Sequence, residues 1–302
     1  MNDAELWSYQ RFGMLTGKEE RKVKITCIAL DLDGTTLTPQ GSLRGKTREA
    51  IEKALEAGIQ VVAASGRSLD SLPADILAIS GIQYGITSNG AAVYRLSDRK
   101  CLKQCKLTKE SVREILKYTE GQETAFEAFI EGKPYAQKEY VEDPVRFGAT
   151  QRAIPYIQST REPIEDMMKF IYDHQEILDC LDIVVKSEEK KRKLWKTLQE
   201  NVKDVYITSS VTQLLEISHR DSGKEAGIRF LLEYLGLKRE GLAAFGDGDN
   251  DREMISYARV GVAMGNASPA CKKAADWIAP SNEEDGVAWG IEKLLEENRS
   301  GL

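Results

Sequence analysis

The sequence predicts an α/β chain: a doubly wound, Rossmann-like parallel sheet interrupted by an inserted α+β module. Three observations predict it. Short, nearly continuous apolar runs such as Lys24–Leu30 and Ile59–Ala64 have the composition of strands buried on both faces. Helical patterns alternate with such runs near both ends of the chain. Between residues 92 and 217 the rhythm changes to paired short strands around polar turns, the pattern of antiparallel hairpins.

The elements follow in order. Residues 1–22 have no clear period and run into the charged stretch Lys18–Lys24, an extension outside the fold. Lys24–Leu30 is the first strand. Thr47–Ala57 carries Ala50, Ile51, Ala54 and Leu55 at helical spacing, and Gly58 closes it just past the helix end. Ile59–Ala64 is a strand, Leu69–Ile79 a helix, and Tyr84–Thr87 a third strand. In the insertion, Ala91–Leu96 and Cys101–Leu107 flank the turn 97–100, and Thr108 caps a helix to about Tyr118. Thr124–Ile130 and Lys133–Gln137 form a second hairpin around Glu131-Gly132; residues 141–160 have no clear reading. Ile164–Leu178 is helical, Leu181–Lys186 a strand, Glu188–Gln199 a charged helix, and Val205–Ser209 and Gln213–Ile217 are strands. The insertion thus reads as an antiparallel sheet covered on one side. After Ser218 the alternation returns, with helices at Lys224–Leu235, Arg252–Ala258, Pro269–Ala275 and Gly286–Glu297 between strands at Leu242–Phe245, Val260–Met264 and Trp277–Ala279. The division is an extension at 1–22, a core from 23–91 and 218–302, and an inserted cap at 92–217.

With 302 residues the chain buries a core without disulfide or metal staples. Forty-two basic against 48 acidic side chains give a net charge of −6, with no basic stripe, which argues against nucleic acid as a partner. The five cysteines form no Cys-x-x-Cys pair, as reduced thiols of a cytoplasmic protein would. The apolar runs are too short for a bilayer, and the acidic start lacks a signal-peptide core, so no membrane partner is expected.

The strongest chemical signal is Asp31-Leu32-Asp33-Gly34-Thr35, directly after the first buried strand, where an open α/β sheet places its ligands. A second acidic loop, Asp247-Gly248-Asp249-Asn250-Asp251, follows another core strand. Neither is a calcium loop: the sixth and twelfth positions are Thr36 and Ser42 in one, Arg252 and Ala258 in the other. Five carboxylates at one sheet edge repel one another unless a hard cation neutralises them, and magnesium suits oxygen ligands shared with a phosphate. Ser65-Gly66-Arg67 supplies a hydroxyl and free backbone N–H groups before a helix, and Lys224 opens the first helix after the insertion. Arg67 and Asn89 lie at strand ends on the same edge and are candidates for substrate contacts. Together these residues make a set for phosphoryl transfer.

In order and type, this set resembles the haloacid dehalogenase superfamily of phosphatases. The insertion after Ser88-Asn89-Gly90-Ala91 and the late run Gly261–Ala267 are similar to its Cof-type branch with a type-IIB cap. The resemblance covers residues 23–297 and implies roles by position. Asp31 is the nucleophile that forms an aspartyl-phosphate, and Asp33 is the acid and base. Mg²⁺ is held by the Asp31 carboxylate, the Asp33 carbonyl and Asp247, with Asp251 behind water. Ser65 and Lys224 clamp the phosphoryl oxygens, with the Gly34 N–H and Asn250 nearby. The substrate implied is a small phosphorylated metabolite, sugar phosphates first. Alternatives are a phosphomutase of the same fold and a non-catalytic protein that binds a phosphorylated metabolite. Thr36 and Glu225 stand where the family usually has Leu and Gly. His174 and His219 read as packing or surface residues, Tyr140, Tyr156 and Tyr172 as packing first and as the lining of a substrate pocket in the cap second, and Lys186–Lys193 as a solvated helix start.

Overall fold

The computed structural model describes residues 24–300, so the extension read at 1–22 lies outside the described residues. Two sheets organise the chain. The core sheet is built from β1 (Cys27–Leu30), β2 (Gln60–Ala64), β3 (Tyr84–Thr87), β4 (Ala92–Arg95), β5 (Lys100–Gln104), β12 (Leu242–Gly246), β13 (Val260–Ala263) and β14 (Trp277–Ile278). Its order is β14-β13-β12-β1-β2-β3-β4-β5, parallel from β14 to β3 and antiparallel at β4 and β5.

Alternation along these strands sends side chains to two separate hydrophobic layers. Ile28, Leu30, Val61, Ala63, Ala243 and Phe245 point to one layer, closed by α1 (Gly45–Glu56) and α11 (Gly286–Ser300). Cys27, Ala29, Val62, Ala64, Leu242 and Ala244 point to the other, closed by α8 (Lys224–Tyr234) and α9 (Arg252–Tyr257). A sheet covered on both faces needs strands apolar at every position, which is why β1, β2 and β12 read as unbroken apolar runs. Each fully buried Ile or Phe in these layers contributes about 1.5–3 kcal/mol.

The cap sheet takes β6 (Ala125–Ile130), β7 (Lys133–Gln137), β8 (Glu162–Ile164), β9 (Cys180–Val184), β10 (Val205–Thr208) and β11 (Leu214–His219) in the order β10-β11-β9-β6-β7-β8. One face packs on α3 (Lys109–Thr119), α6 (Met167–Asp173) and α7 (Glu188–Asn201) through Phe126, Ala128, Leu181, Ile183, Leu215 and Ile217. The Thr108 side chain accepts from the Ser111 N–H at 3.1 Å, the N-cap expected at the start of α3 and worth about 1 kcal/mol.

Four expectations change. The hairpin of β4 and β5, placed in the insertion, belongs to the core sheet: β4 turns back through Ser88-Asn89-Gly90 and pairs antiparallel with β3, Ile86 opposite Val93. A strand with a bare edge accepts whatever segment its turn delivers, and local sequence does not name that partner. The helix read at Leu69–Ile79 is broken by Pro73 into a 3₁₀ turn at Leu69–Ser71 and a single turn, α2 (Ala74–Leu77). The helix read at Ile164–Leu178 is shorter, because β8 takes Ile164 and Asp166 caps α6 by accepting from the Lys169 N–H at 3.0 Å. The cap sheet is covered on both faces, since α4 (Lys138–Glu142), which begins before the stretch without a clear reading, and α5 (Ile154–Thr160), within it, bury Ala125, Ala136 and Val184 on the second. Among the described residues, no helix is long and apolar enough to cross a membrane.

Candidate active site

Parallel pairing of β1 with β12 brings the two acidic loops to one edge. Leu30 lies opposite Phe245, and the Asp31 N–H donates to the Phe245 carbonyl at 3.1 Å, so Asp31 and Asp247 leave adjacent strands side by side. Asp31, Asp247 and Asp251 each offer a carboxylate oxygen within 4.8 Å of the others. Gly34 permits this approach. Its φ is +80°, and a Cβ there would collide with the Asp247 carboxylate. Thr35 Oγ donates to Asp247 Oδ1 at 2.9 Å, and Thr36 Oγ donates to the Asp31 carbonyl at 2.5 Å. Thr36 therefore ties down the backbone of the first carboxylate.

Lys224, the first residue of α8, is buried between these loops. Its ammonium donates to Asp31 Oδ1 and to Asp251 Oδ1, both at 2.6 Å. Asp251 Oδ2 accepts from the Asp247 and Gly248 N–H groups at 3.0 and 2.9 Å, so both of its oxygens are engaged. Asp31 differs: its Oδ2 is buried and has no hydrogen-bond partner. Burial and the neighbouring Asp251 push the Asp31 carboxyl well above the usual carboxylate range, against the pull of Lys224. Burial, again with Asp251, raises Asp247 to about 6. Burial alone would lower the Lys224 ammonium, but Asp251 and Asp31 outweigh it and the value rises. An excess of buried carboxylate around one ammonium, with an orphaned oxygen, fits a hard divalent cation held by oxygen donors.

The remaining candidates surround this cluster. Asp33 points away from it, half exposed, and is held by Arg67. Ser65 is buried, and its Oγ accepts from the Arg67 N–H at 3.1 Å while its carbonyl accepts from the Asn89 N–H at 3.1 Å. Asn89, in a left-handed conformation at φ 52°, accepts on Oδ1 from Asn250 Nδ2 at 3.0 Å. Its own Nδ2 donates to Glu216 Oε1 of the cap at 3.0 Å. Asp31, Lys224, Asp247 and Asp251 thus share one cluster, Asn89 and Asn250 lie on one flank, and Asp33 and Arg67 on another.

Sequence reasoning missed several contacts. Asn266 Nδ2 donates to the Gly34 carbonyl at 2.8 Å and braces the first loop from the far side. Tyr156, taken as packing, sits between two guanidinium groups, Arg67 at 4.3 Å and Arg161 at 4.5 Å from its ring centre. Glu127, Asp182 and Glu216 are buried on the cap sheet. The available signal was a lone acidic residue between apolar neighbours in each of three strands: Phe126-Glu127-Ala128, Leu181-Asp182-Ile183 and Leu215-Glu216-Ile217.

Residues 28–291 match the family model of haloacid dehalogenase-like hydrolases. The 5-amino-6-(5-phospho-D-ribitylamino)uracil phosphatase YwtE of Bacillus subtilis is 29% identical over 301 residues, covering 89% of this chain and 98% of the relative. A solved haloacid dehalogenase-like hydrolase from B. subtilis has a TM-score of 0.77 at 26% identity, over 89% of this chain and 99% of its own. The subclass IIB sugar phosphatase BT4131 shares the fold, with a TM-score of 0.75 at 20% identity over 90% of this chain and 98% of its own. Matches that run through both halves of the core and the whole insertion place this chain in the haloacid dehalogenase-like hydrolase family, as a Cof-type phosphatase with an inserted cap.

Proposed function

We propose that the protein hydrolyses small phosphomonoesters, sugar phosphates first, through a phosphorylated Asp31. The observation that carries this reading is the Asp31 carboxylate. One oxygen is fixed by Lys224, and the other is buried, unpartnered and at the carboxyl edge of the central strand. In the first step Asp31 Oδ2 attacks phosphorus, the ester P–O bond breaks, and Asp33 gives its proton to the leaving oxygen. In the second, water attacks phosphorus, Asp33 takes a proton from it, the bond to Asp31 breaks, and inorganic phosphate leaves. Lys224 and the Gly34 N–H face the phosphoryl oxygens, Ser65 and Asn250 border them, and Arg67 and Asn89 lie where the rest of the substrate meets the core.

The carboxylate set of Asp31 and Asp247, with the Asp33 carbonyl and with Asp251 behind, would hold Mg²⁺. When bound, the ion supplies charge that offsets the repulsion between a carboxylate and a phosphate dianion. Asp33 must leave Arg67 to serve the leaving oxygen, so Arg67 is available to the substrate at the moment Asp33 is needed.

The test is a phosphate-release screen over phosphorylated metabolites, with Mg²⁺ and with chelator, on the wild type and Asp31→Asn. Release that needs Mg²⁺ and Asp31, without a bisphosphate activator, is the expected result. Activity that survives Asp31→Asn would refute the nucleophile, and phosphate transfer back to the sugar without release would identify a mutase.

A further inference from the structure

Glu127, Asp182 and Glu216 form a row across the cap sheet. They sit on neighbouring strands in register, Glu127 opposite Asp182 and Asp182 opposite Glu216. Like charges directly opposite on antiparallel strands destabilise a sheet, and these three are 1, 3 and 4% exposed. Their side chains lie on the face opposite Phe126, Ala128, Leu181, Ile183, Leu215 and Ile217, a face that α4 and α5 cover in part through apolar residues.

The row is under-compensated. Among the described residues, the one cation bonded to it is Arg161, whose Nε and Nη2 donate to Glu127 Oε2 at 2.9 and 2.7 Å. Glu127 Oε1 is buried with no partner. Asp182 takes a thiol hydrogen bond from Cys180 at 3.1 Å. Glu216 accepts from Asn89 Nδ2 and from the Ser210 N–H. A buried acceptor left unmade is costly, and a charged one more so, so a site of this kind persists where a ligand completes it.

Its position says which ligand. At one end Glu216 touches Asn89, the neighbour of Asn250 in the catalytic flank. At the other, Glu127 holds Arg161, which shares the Tyr156 ring with Arg67, and Arg67 holds Asp33. The row therefore spans the cap between the two arms that reach the reacting edge. We propose that Glu127, Asp182 and Glu216 are the specificity determinants of the cap: they read the leaving group of the phosphoester and select one rich in hydrogen-bond donors, a protonated amine among hydroxyls above all. Leaving groups that carry a second phosphate or a carboxylate are refused by the same charge. This rests on the phosphatase reading above.

The test compares glucosamine 6-phosphate, glucose 6-phosphate and 6-phosphogluconate by kcat/KM in the wild type, Asp182→Asn and Glu216→Gln. The readout is the ratio of amine to hydroxyl substrate within each protein, so a general loss of activity cancels. The wild type should rank amine over hydroxyl over carboxylate. Each variant should lower the amine-to-hydroxyl ratio about tenfold or more, the loss expected for a charge-assisted hydrogen bond. Binding of the same compounds to Asp31→Asn, measured by calorimetry, should follow the same ranking without turnover, so a failure of the catalytic reading leaves the row tested. A ratio unchanged in both variants, or a wild type that favours the carboxylate substrate, overturns the proposal.

Discussion

Arg67 grips the Asp33 carboxylate at two points, Nε on Oδ2 at 2.7 Å and Nη2 on Oδ1 at 2.6 Å. The same guanidinium stacks on Tyr156 of the cap, so Asp33 and the cap are joined through one side chain. Lysine cannot reproduce a two-point bond or the stacking. Because Arg67 turns to the substrate when Asp33 leaves it, Arg67→Lys should lower kcat/KM on a sugar phosphate by about tenfold, as loss of one charge-assisted bond to the substrate does, and less on an aryl phosphate. Asp33 is half exposed, so stability should change by less than about 1 kcal/mol. Steady-state kinetics on both substrates and a melting curve check this.

On the roles proposed above, Asp31 and Asp33 should fail differently. Asp31→Asn removes the anionic nucleophile, and turnover should fall on the order of 10⁴-fold or more. Asp33→Asn keeps the nucleophile and loses the proton carrier. With p-nitrophenyl phosphate the leaving group needs little protonation, so the first step persists while hydrolysis of the adduct slows. A hydroxylamine-labile phosphate on Asp33→Asn, mapped to Asp31 by mass spectrometry and missing from Asp31→Asn, is the expected outcome. A label on any other residue contradicts the roles.

Metal dependence should separate Asp247 from Asp251. Asp247 spends one oxygen on Thr35, whereas Asp251 has Lys224 on one oxygen and two backbone N–H groups on the other. Asp247→Asn should raise the Mg²⁺ concentration needed for half-maximal activity more than Asp251→Asn does. Asp251→Asn should instead cost stability, on the order of 3 kcal/mol, since it breaks a buried ion pair and strips the donors of the loop. Mg²⁺ titrations and urea melts read the two effects separately, and EDTA should abolish turnover in the wild type.

Asp179 makes stability depend on pH. It precedes β9, accepts from Gln104 Nε2 at 2.6 Å, and is pushed by burial up to about 6 from an ordinary 3.8. Between these values the folded protein holds a proton that the unfolded chain has released. Stability is therefore greatest below the lower value and falls as pH rises through the upper, by about 2–3 kcal/mol for this group. Asp179→Asn should remove one proton's share of that slope. Urea midpoints from pH 4 to 7 measure it, and equal slopes in the two proteins would exclude the assignment.

Much of the catalytic edge was legible because its chemistry is local. Asp31 and Asp33, or Asp247 and Asp251, come as short runs directly after strands whose apolar composition marks them as central. Pro73 stood in plain view inside Leu69–Ile79, yet the helical spacing of its apolar neighbours hid the break that it makes. What sequence did not show is pairing at a distance. Nothing in Leu181-Asp182-Ile183 says that acidic residues flank it on both neighbouring strands, and nothing in Ala92–Arg95 says that β3 is its partner. Such partners are set by global topology, which a periodicity of two or 3.6 does not encode.

The place of β1 in the core sheet has a consequence for how the protein comes into being. Cys27 pairs with Gln60 on one side and Leu242 on the other. A ribosome finishes the whole cap sheet before it makes β12, so the insertion folds as a unit while β1 waits with one edge bare. Such an edge invites pairing between nascent chains. Asp31 is made long before Asp247 and meets it only once β12 exists to pair with β1. Chains that stop short of β12 would carry a folded cap on a core open to aggregation, and the acidic edge closes only when β12 pairs with β1.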